Sequence, residues 1–217
     1  FDVTGIVLQG AAASAANSYA LVDSTTADAD GSKIVTIDLS TDDLNGLKTA
    51  TLVGTAIADT WVTLAAAATQ DMYGNDAVLI GSGAALATSA VQADSVAPAL
   101  VDWTLDVNSD PAIVHLIFTE SIAAASLDAT ALTIQAGSAG GASYTLTGVS
   151  STADVDGAVS VDVVLGTDDL NNIKTANVGT SVADSFLSFT AALVDDMNGN
   201  AVSAVVTTSA VQADSVV

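Results

Sequence analysis

An internal repeat organises this chain of 217 residues. The string "TDDLNGLKTA", which begins at Thr41, returns 126 residues later as "TDDLNNIKTA" at Thr167. Four further strings, "ADADG", "ADTWVTL", "DMYGN" and "SAVQADSV", recur in identical or similar form, in the same order and at offsets of 120 to 126 residues. The chain therefore holds two tandem copies of one module, and a fold assigned to one copy must also serve the other.

The two copies are not equally complete. The first ten residues, "FDVTGIVLQG", align with "LDATALTIQA", which begins at Leu127, so residues 98–126 have no counterpart. Because the first residue is Phe1 rather than Met, either a leader has been removed or the chain begins inside a longer one. We predict an incomplete first domain over residues 1–91, a linker over 92–97, and a complete second domain over 98–217 that ends in a long C-terminal strand or linker.

Short alternating apolar runs between turn residues predict an all-β fold. "AIVHLIF" places Val114, Leu116 and Phe118 on one face of a strand, and similar runs recur through both copies. Between two strands, the repeated "TDDL" string predicts a short helix, with acidic residues at its start and Lys174 near its end. We expect two tandem β-sandwich domains, each with a short helix inserted between strands, of which the first lacks its front strands.

Composition excludes several functional classes. The 25 acidic residues outnumber the 3 basic ones, for a net charge of −22, and this surplus repels nucleic acid and anionic membranes. No apolar run is long enough to insert into a membrane, and without cysteine there is no thiol chemistry. The lone His115 has no second imidazole to work with and no nucleophile elbow is present, so we predict no catalytic residues and no enzyme activity.

Two acidic turns could hold a cation. Asp28 and Asp30 precede one glycine, and Asp154 and Asp156 precede its repeat. Carboxylate oxygens suit Ca²⁺, which takes six to eight oxygen ligands. However, Asp-Gly also forms hairpin turns, and no bidentate Glu completes either loop. A purely structural turn is therefore the favoured interpretation, with a Ca²⁺ site at these four carboxylates as the alternative, and the sequence establishes no cofactor.

The motif order resembles a known family. Asp94 and Pro98 are followed by "FTE" at Phe118, by "SLD" at Ser126 and by a closing "DMNGN" at Asp196. This order is similar to the bacterial Ig-like repeats of S-layer and large surface proteins. The resemblance covers all of the second copy and the back two-thirds of the first. It implies Ig-like β-sandwich modules at the cell surface, used as spacers, adhesin stalks or lattice elements rather than as enzymes.

The missing front strands predict that the first domain needs a partner. In the second copy those strands carry about five inward apolar side chains, and leaving the matching surface uncovered would forgo about 8–15 kcal/mol. We predict that another copy supplies the cover by strand exchange, which would build a helical, head-to-tail homopolymer. The polymerisation residues predicted are Ser209, Val211, Ala213, Val216 and Val217 of the C-terminal tail, with Phe1, Ile6 and Leu8 of the N-terminal segment.

Two functions remain open at this stage. The first is a structural protomer of an extracellular filament. The second is a fragment of a long single-chain surface adhesin or stalk built of Ig-like repeats. A carbohydrate-binding module has little support, because two Trp and three Tyr offer few stacking platforms.

Overall fold

The computed structural model describes residues 1–50, 52–150 and 154–217. Over these residues the chain is mostly β, with three sheets and two short helices, which confirms the predicted fold at this level. The chain divides into two compact units, Phe1–Asp94 and Ser95–Val217.

The second unit is a two-sheet sandwich. Its first sheet contains β5 (Leu100–Asp106), β6 (Ile113–Phe118), β9 (Val149–Ser150), β10 (Ser160–Leu165) and β13 (Ser215–Val216), in the order β13-β5-β6-β10-β9. Its second sheet contains β7 (Leu132–Gln135), β8 (Ser143–Thr145), β11 (Phe186–Phe189) and β12 (Val211–Gln212), in the order β12-β11-β7-β8. All strand pairs are antiparallel except β13 with β5.

The core of the second unit lies between its two sheets. Trp103, Leu116 and Val161 enter it from the first sheet, while Ile134 and Leu187 enter it from the second, and all five are fully buried. The predicted inward face of β6 is confirmed, because alternate residues of that strand are buried. The helix α2 (Thr167–Ala176) joins β10 to β11 and closes one end of this core with Ile173.

The first unit has one sheet where the second has two. Its strands are β1 (Ile6–Ala11), β2 (Ser14–Ala20), β3 (Trp61–Leu64) and β4 (Leu86–Ala87), in the order β2-β1-β3-β4, and its helix is α1 (Thr41–Thr49). This sheet repeats the order of β8-β7-β11-β12 in the second unit. Leu8 faces Val62 across β1 and β3 just as Ile134 faces Leu187 across β7 and β11. Among the described residues of the first unit, β5 and β6 have no counterpart.

The C-terminal residues 201–217 do not form one long strand. They make two isolated bridges, a short 3-10 turn at Thr207–Ser209 and the two-residue strands β12 and β13. Since β12 pairs with β11 and β13 with β5, the tail joins both sheets of its own unit.

The repeated string "SAVQADSV" has different structures in its two copies. In the second copy it forms β12 and β13, whereas in the first, at residues 89–96, it follows the last strand. The structural counterpart of Val211 is Leu86, because Leu86 pairs with Val62 as Val211 pairs with Leu187. Backbone pairing, rather than letter identity, therefore decides which residues are equivalent.

The two units allow a matched test of packing. Val161 is fully buried, whereas Val35, which stands at the same point of the repeat, is 43% exposed. Val161→Ala should lower the free energy of unfolding of the second unit by about 2 kcal/mol, because it leaves a cavity in a packed core. Val35→Ala in the isolated chain should change that of the first unit by less than about 0.5 kcal/mol. Urea unfolding followed by fluorescence reports the two units separately in chains that keep only Trp103 or only Trp61, and equal losses would contradict this view of the first unit.

Candidate assembly interface on the first unit

The first unit carries an apolar surface that the second unit buries. We call this surface the open face, and it consists of the inner side of the sheet β2-β1-β3-β4 together with residues 34–39. Leu8, Val62 and Leu64 are half-buried there, whereas their counterparts Ile134, Leu187 and Phe189 lie inside the core. In the second unit β5 and β6 provide the cover, through side chains such as Trp103 and Leu116.

One border of the open face is an unused strand edge, which we call the open edge and define as residues 34–39. These residues align with β10, and their one strand-like bridge, Thr25 with Asp38, repeats the pairing of Ser150 with Val164. Leu39 is 41% exposed, whereas its counterpart Leu165 is 5% exposed. In the second unit, one side of β10 pairs with β6. The same side of the open edge pairs with no strand among the described residues.

A buried carboxylate holds the open edge in place. Asp43, in the first turn of α1, is fully buried and accepts hydrogen bonds from the amides of Val22, Asp23 and Ser24, at 2.8 to 3.1 Å. It also accepts from the hydroxyls of Ser24, at 2.5 Å, and of Tyr19, at 3.0 Å. The Ser24 hydroxyl in turn accepts from the amide of Ser40, at the end of the open edge. The helix, the loop and the edge are thus fixed as one network.

The electrostatics of this network favour an ionised Asp43. Burial opposes the charge, but the hydrogen bonds from Ser24, Val22 and Asp23 outweigh it and hold the pKa of Asp43 well below its usual range. Burial and the hydrogen bond to Asp43 raise the pKa of Tyr19 to about 12. In the second unit Asp169 has the same role, with a lowered pKa and hydrogen bonds from Tyr144, Thr147 and Gly148.

The acidic turns support the backbone in both units. Asp28 accepts a hydrogen bond from the amide of Thr36, and Asp154 accepts one from the amide of Asp162, eight residues on in each case. Asp156 accepts from the amide of Ala125 at 3.0 Å, whereas Asp30 is exposed. Gly31 has a φ of 84°, which explains why a glycine ends this turn. Calcium binding by these four carboxylates stays a prediction.

The predicted polymerisation residues lie in two places. In the tail, Ser209 is exposed and Ala213 is buried in the core of its own unit, while Val211 and Val216 pack against that core and Val217 is exposed. At the N-terminus, Phe1 is half exposed, whereas Ile6 and Leu8 belong to β1 and lie on the open face. Exchange of these segments between copies stays a prediction.

His115 lies on the outer face of β6. Its Nδ1 is 2.5 Å from a carboxylate oxygen of Asp162 on the neighbouring strand, and both side chains are partly exposed. The arrangement is a cross-strand pair at the surface of the sheet.

Two buried polar residues, Gln9 and Gln135, were not predicted from the sequence. Gln9 and Gln135 stand at the same point of the repeat. Each amide nitrogen donates to two backbone carbonyls, one of them in the turn before β4 in the first unit or before β12 in the second. The carbonyl oxygen of Gln135 accepts from Ser188, whereas that of Gln9 is buried without a partner in the described residues. The recurrence of Gln at the same strand position in both copies was the available signal.

The comparisons with known proteins give no family. No family model, no curated protein and no solved structure matches this chain. Within the part of the chain that the structure describes, neither helix has the length and apolar character to cross a bilayer.

The Asp43 network predicts a pH-dependent stability of the first unit. Since the folded-state pKa lies below the unfolded value near 3.8, the contribution of Asp43 is fully present above that value and is lost as the pH falls below it. Asp43→Asn should lower the free energy of unfolding at pH 7 by about 2–3 kcal/mol. The gap between wild type and variant should narrow below pH 4, in urea titrations followed by Trp61 fluorescence. Asp42→Asn, in the same turn but exposed, is the control, and an equal effect there would contradict the proposed role.

The calcium prediction has a direct test. If the acidic turns bind Ca²⁺, a chelator should lower the melting temperature of the chain, and Asp28→Ala combined with Asp154→Ala should abolish that response. Both substitutions also remove a hydrogen bond to the backbone, which lowers the melting temperature by itself. The quantity to compare is therefore the change in melting temperature that the chelator causes in each variant. Asp42→Ala combined with Asp168→Ala, at exposed helix positions, is the control. A melting temperature that ignores the chelator in every variant would show that these carboxylates serve the turns alone.

Proposed function

We propose that this chain is a structural protomer of an extracellular filament, in which strands exchanged between copies complete the first unit. One observation carries the proposal: the same stretch of the repeat is buried in the second unit and exposed in the first. Val161 and Leu165 are at most 5% exposed, whereas Val35 and Leu39 exceed 40%. An apolar strand edge of this kind is a template for another strand.

Strand addition supplies both affinity and register. Main-chain hydrogen bonds along the open edge would hold the added strand, and its alternate side chains would enter the apolar face. The acceptor lies on the first unit and the predicted donor at the C-terminus, so the contact is heterologous. Such a contact need not close into a ring and can grow into a fibre.

The C-terminal tail is the donor that the sequence favours. In its own unit the tail is held by β12 and β13, which have two residues each. Exchange would transfer Val211, Ala213 and Val216 from the core of their own second unit to the first unit of another copy. The apolar surface exposed by leaving one core would be buried again in the other.

The wider setting rests on the sequence. The order of motifs supports Ig-like modules of a surface protein, and a net charge of −22 suits a protein that stays soluble outside the cell. A role in scaffolding or adhesion needs no catalytic group, and we propose none.

Filament growth can be tested through the open edge. The purified chain should form filaments visible by electron microscopy as its concentration rises, and Val35→Asp should abolish them because a charge would face the added strand. Val101→Asp is the matched control, since Val101 is 59% exposed but belongs to β5 of the second unit and is not part of the open face. Filaments from Val35→Asp that match the wild type would contradict the proposal.

The second candidate is a segment of a long single-chain stalk or adhesin. It is favoured by the second unit, in which the covering strands β5 and β6 come directly before β7 in the same chain. In this case the protein isolated from its source would be far larger than 21.3 kDa, and the purified chain would stay monomeric at every concentration.

A further inference from the structure

The second unit contains a template for whatever covers the open face. There, β6 runs antiparallel to β10, and the residues after β6 continue as an irregular segment, residues 119–126, before β7 begins. β5 lies on the far side of β6 and completes the cover. Neither strand nor segment has a counterpart among the described residues of the first unit.

The open edge has backbone amides available to pair with one further strand. In the second unit the amide of Leu165 donates to Ala112 at 2.8 Å, and the amide of Phe118 donates to Val159 at 2.8 Å, so alternate residues of β10 face β6. The matching amides in the first unit belong to Val35, Ile37 and Leu39. Among the described residues these three amides have no hydrogen-bond partner.

A groove of about 590 Å³ in the first unit continues the open edge. Its lining includes Asp30, Gly31, Ser32 and Gln70. These are the counterparts of the four residues that hold the segment after β6 in the second unit, namely Asp156, Gly157, Ala158 and Asp195.

The contacts made by those four residues define what the groove can take. In the second unit Ile122 donates its amide to Ala158 and accepts from Gly157, both at 2.9 Å, and its side chain is fully buried. Ala123 donates to Asp195 at 2.9 Å, and Ala125 donates to the carboxylate of Asp156 at 3.0 Å. Most of the contacts use backbone groups of the segment; the side chains that take part are the apolar one of Ile122 and the hydroxyl of Ser126, which accepts from the amide of Asp195 at 2.8 Å.

We propose that the first unit is a receptor for a two-stranded β-hairpin with the chemistry of residues 100–126. The second strand of the hairpin pairs antiparallel with the open edge, with an apolar residue opposite Val35 as Leu116 lies opposite Val161. The chain then turns into the groove, where an apolar side chain takes the place of Ile122 and three successive small residues follow it. The first strand lies on the far side and covers the remainder of the open face.

The width of the gap argues for a hairpin rather than a single strand. Two strands of the second unit lack counterparts, and adjacent strands are about 4.8 Å apart. Trp103 and Leu105 of β5 are as buried as Val114 and Leu116 of β6, so both strands are needed to close the core. A single strand, such as the tail of another copy, would satisfy the open edge but leave half of the open face in water.

The point at which the proposed hairpin would join Phe1 offers a direct test. Asp2 caps the first short 3-10 turn and donates its amide to Ala68, just as Asp128 caps the matching turn and donates to Leu193. Phe1 therefore stands where Leu127 stands. A chain with an extra copy of residues 98–126 fused directly before Phe1 should rebuild the second unit's connection in the first unit.

In that fused chain, hydrogen exchange at the amides of Val35, Ile37 and Leu39 should slow at least a hundredfold relative to the parent chain. A second fused chain, with the added counterparts of Leu116 and Ile122 changed to Asp, is the control and should leave these amides unprotected. Fast exchange in the fused chain would overturn the inference. If the fused copy is disordered, a free peptide of residues 98–126 added to the full chain gives a second measurement, and absence of protection there would also count against it.

This inference rests on the proposed function for the place of assembly, the open face, but assigns its cover to a hairpin in place of the C-terminal tail, and the two proposals fail in different ways. The fused chain has its receptor filled, so it should no longer form filaments. Protection of the open edge with filaments still present would keep the hairpin receptor but overturn assembly through this face. A free peptide of residues 209–217 that protects the three amides as well as the hairpin does would overturn the hairpin and leave single-strand exchange in place.

Discussion

Apolar burial against one side of a β-sheet is the constraint on which the rest of this molecule depends. A sheet whose inner face is apolar is stable in water when a second layer covers it. The second unit meets this condition with its own five-stranded layer. The first unit has the same four-stranded sheet, in the same order and register, without that layer among its described residues. The proposed assembly and the proposed hairpin receptor both follow from this difference.

The two units also show which interactions do not need the second layer. Two buried polar positions of the repeat keep their main hydrogen bonds in both units. One is Asp43 and its counterpart Asp169, and the other is Gln9 and its counterpart Gln135. These contacts join a helix or a strand to a nearby loop. The first unit thus keeps its local polar contacts, and what its described residues lack is the apolar packing that β5 and β6 supply in the second unit. A unit organised in this way would present a defined edge to the proposed partner, which would lower the entropic cost of binding.

Much of the fold could be predicted from sequence periodicity. Alternation identified β5 and β6, and the repeat located both helices and the incomplete first copy. The ends of the repeat were harder to place. Leu86 takes the place of Val211 although the identical string lies five residues further on, because a two-residue strand depends on backbone hydrogen bonds that many sequences can make. The site was located only in outline: the exposed edge follows from the missing strands. The groove, however, is lined by Gly31, Ser32 and Gln70, whose counterparts in the second unit act through backbone groups that no residue pattern distinguishes.

An exposed strand edge also bears on the tendency of the chain to aggregate. Any extended chain could pair with residues 34–39, including a nascent or misfolded one, so the open edge is a point of entry for aggregation. Lys33 precedes this apolar run and Asp38 interrupts it, both exposed, and charges in such places act as gatekeepers against indiscriminate pairing. Lys33 is one of three basic residues in the whole chain. Copies that collide at random repel one another through their net charge of −22, whereas Lys33 gives the edge a local cation that attracts a strand with a carboxylate at that point.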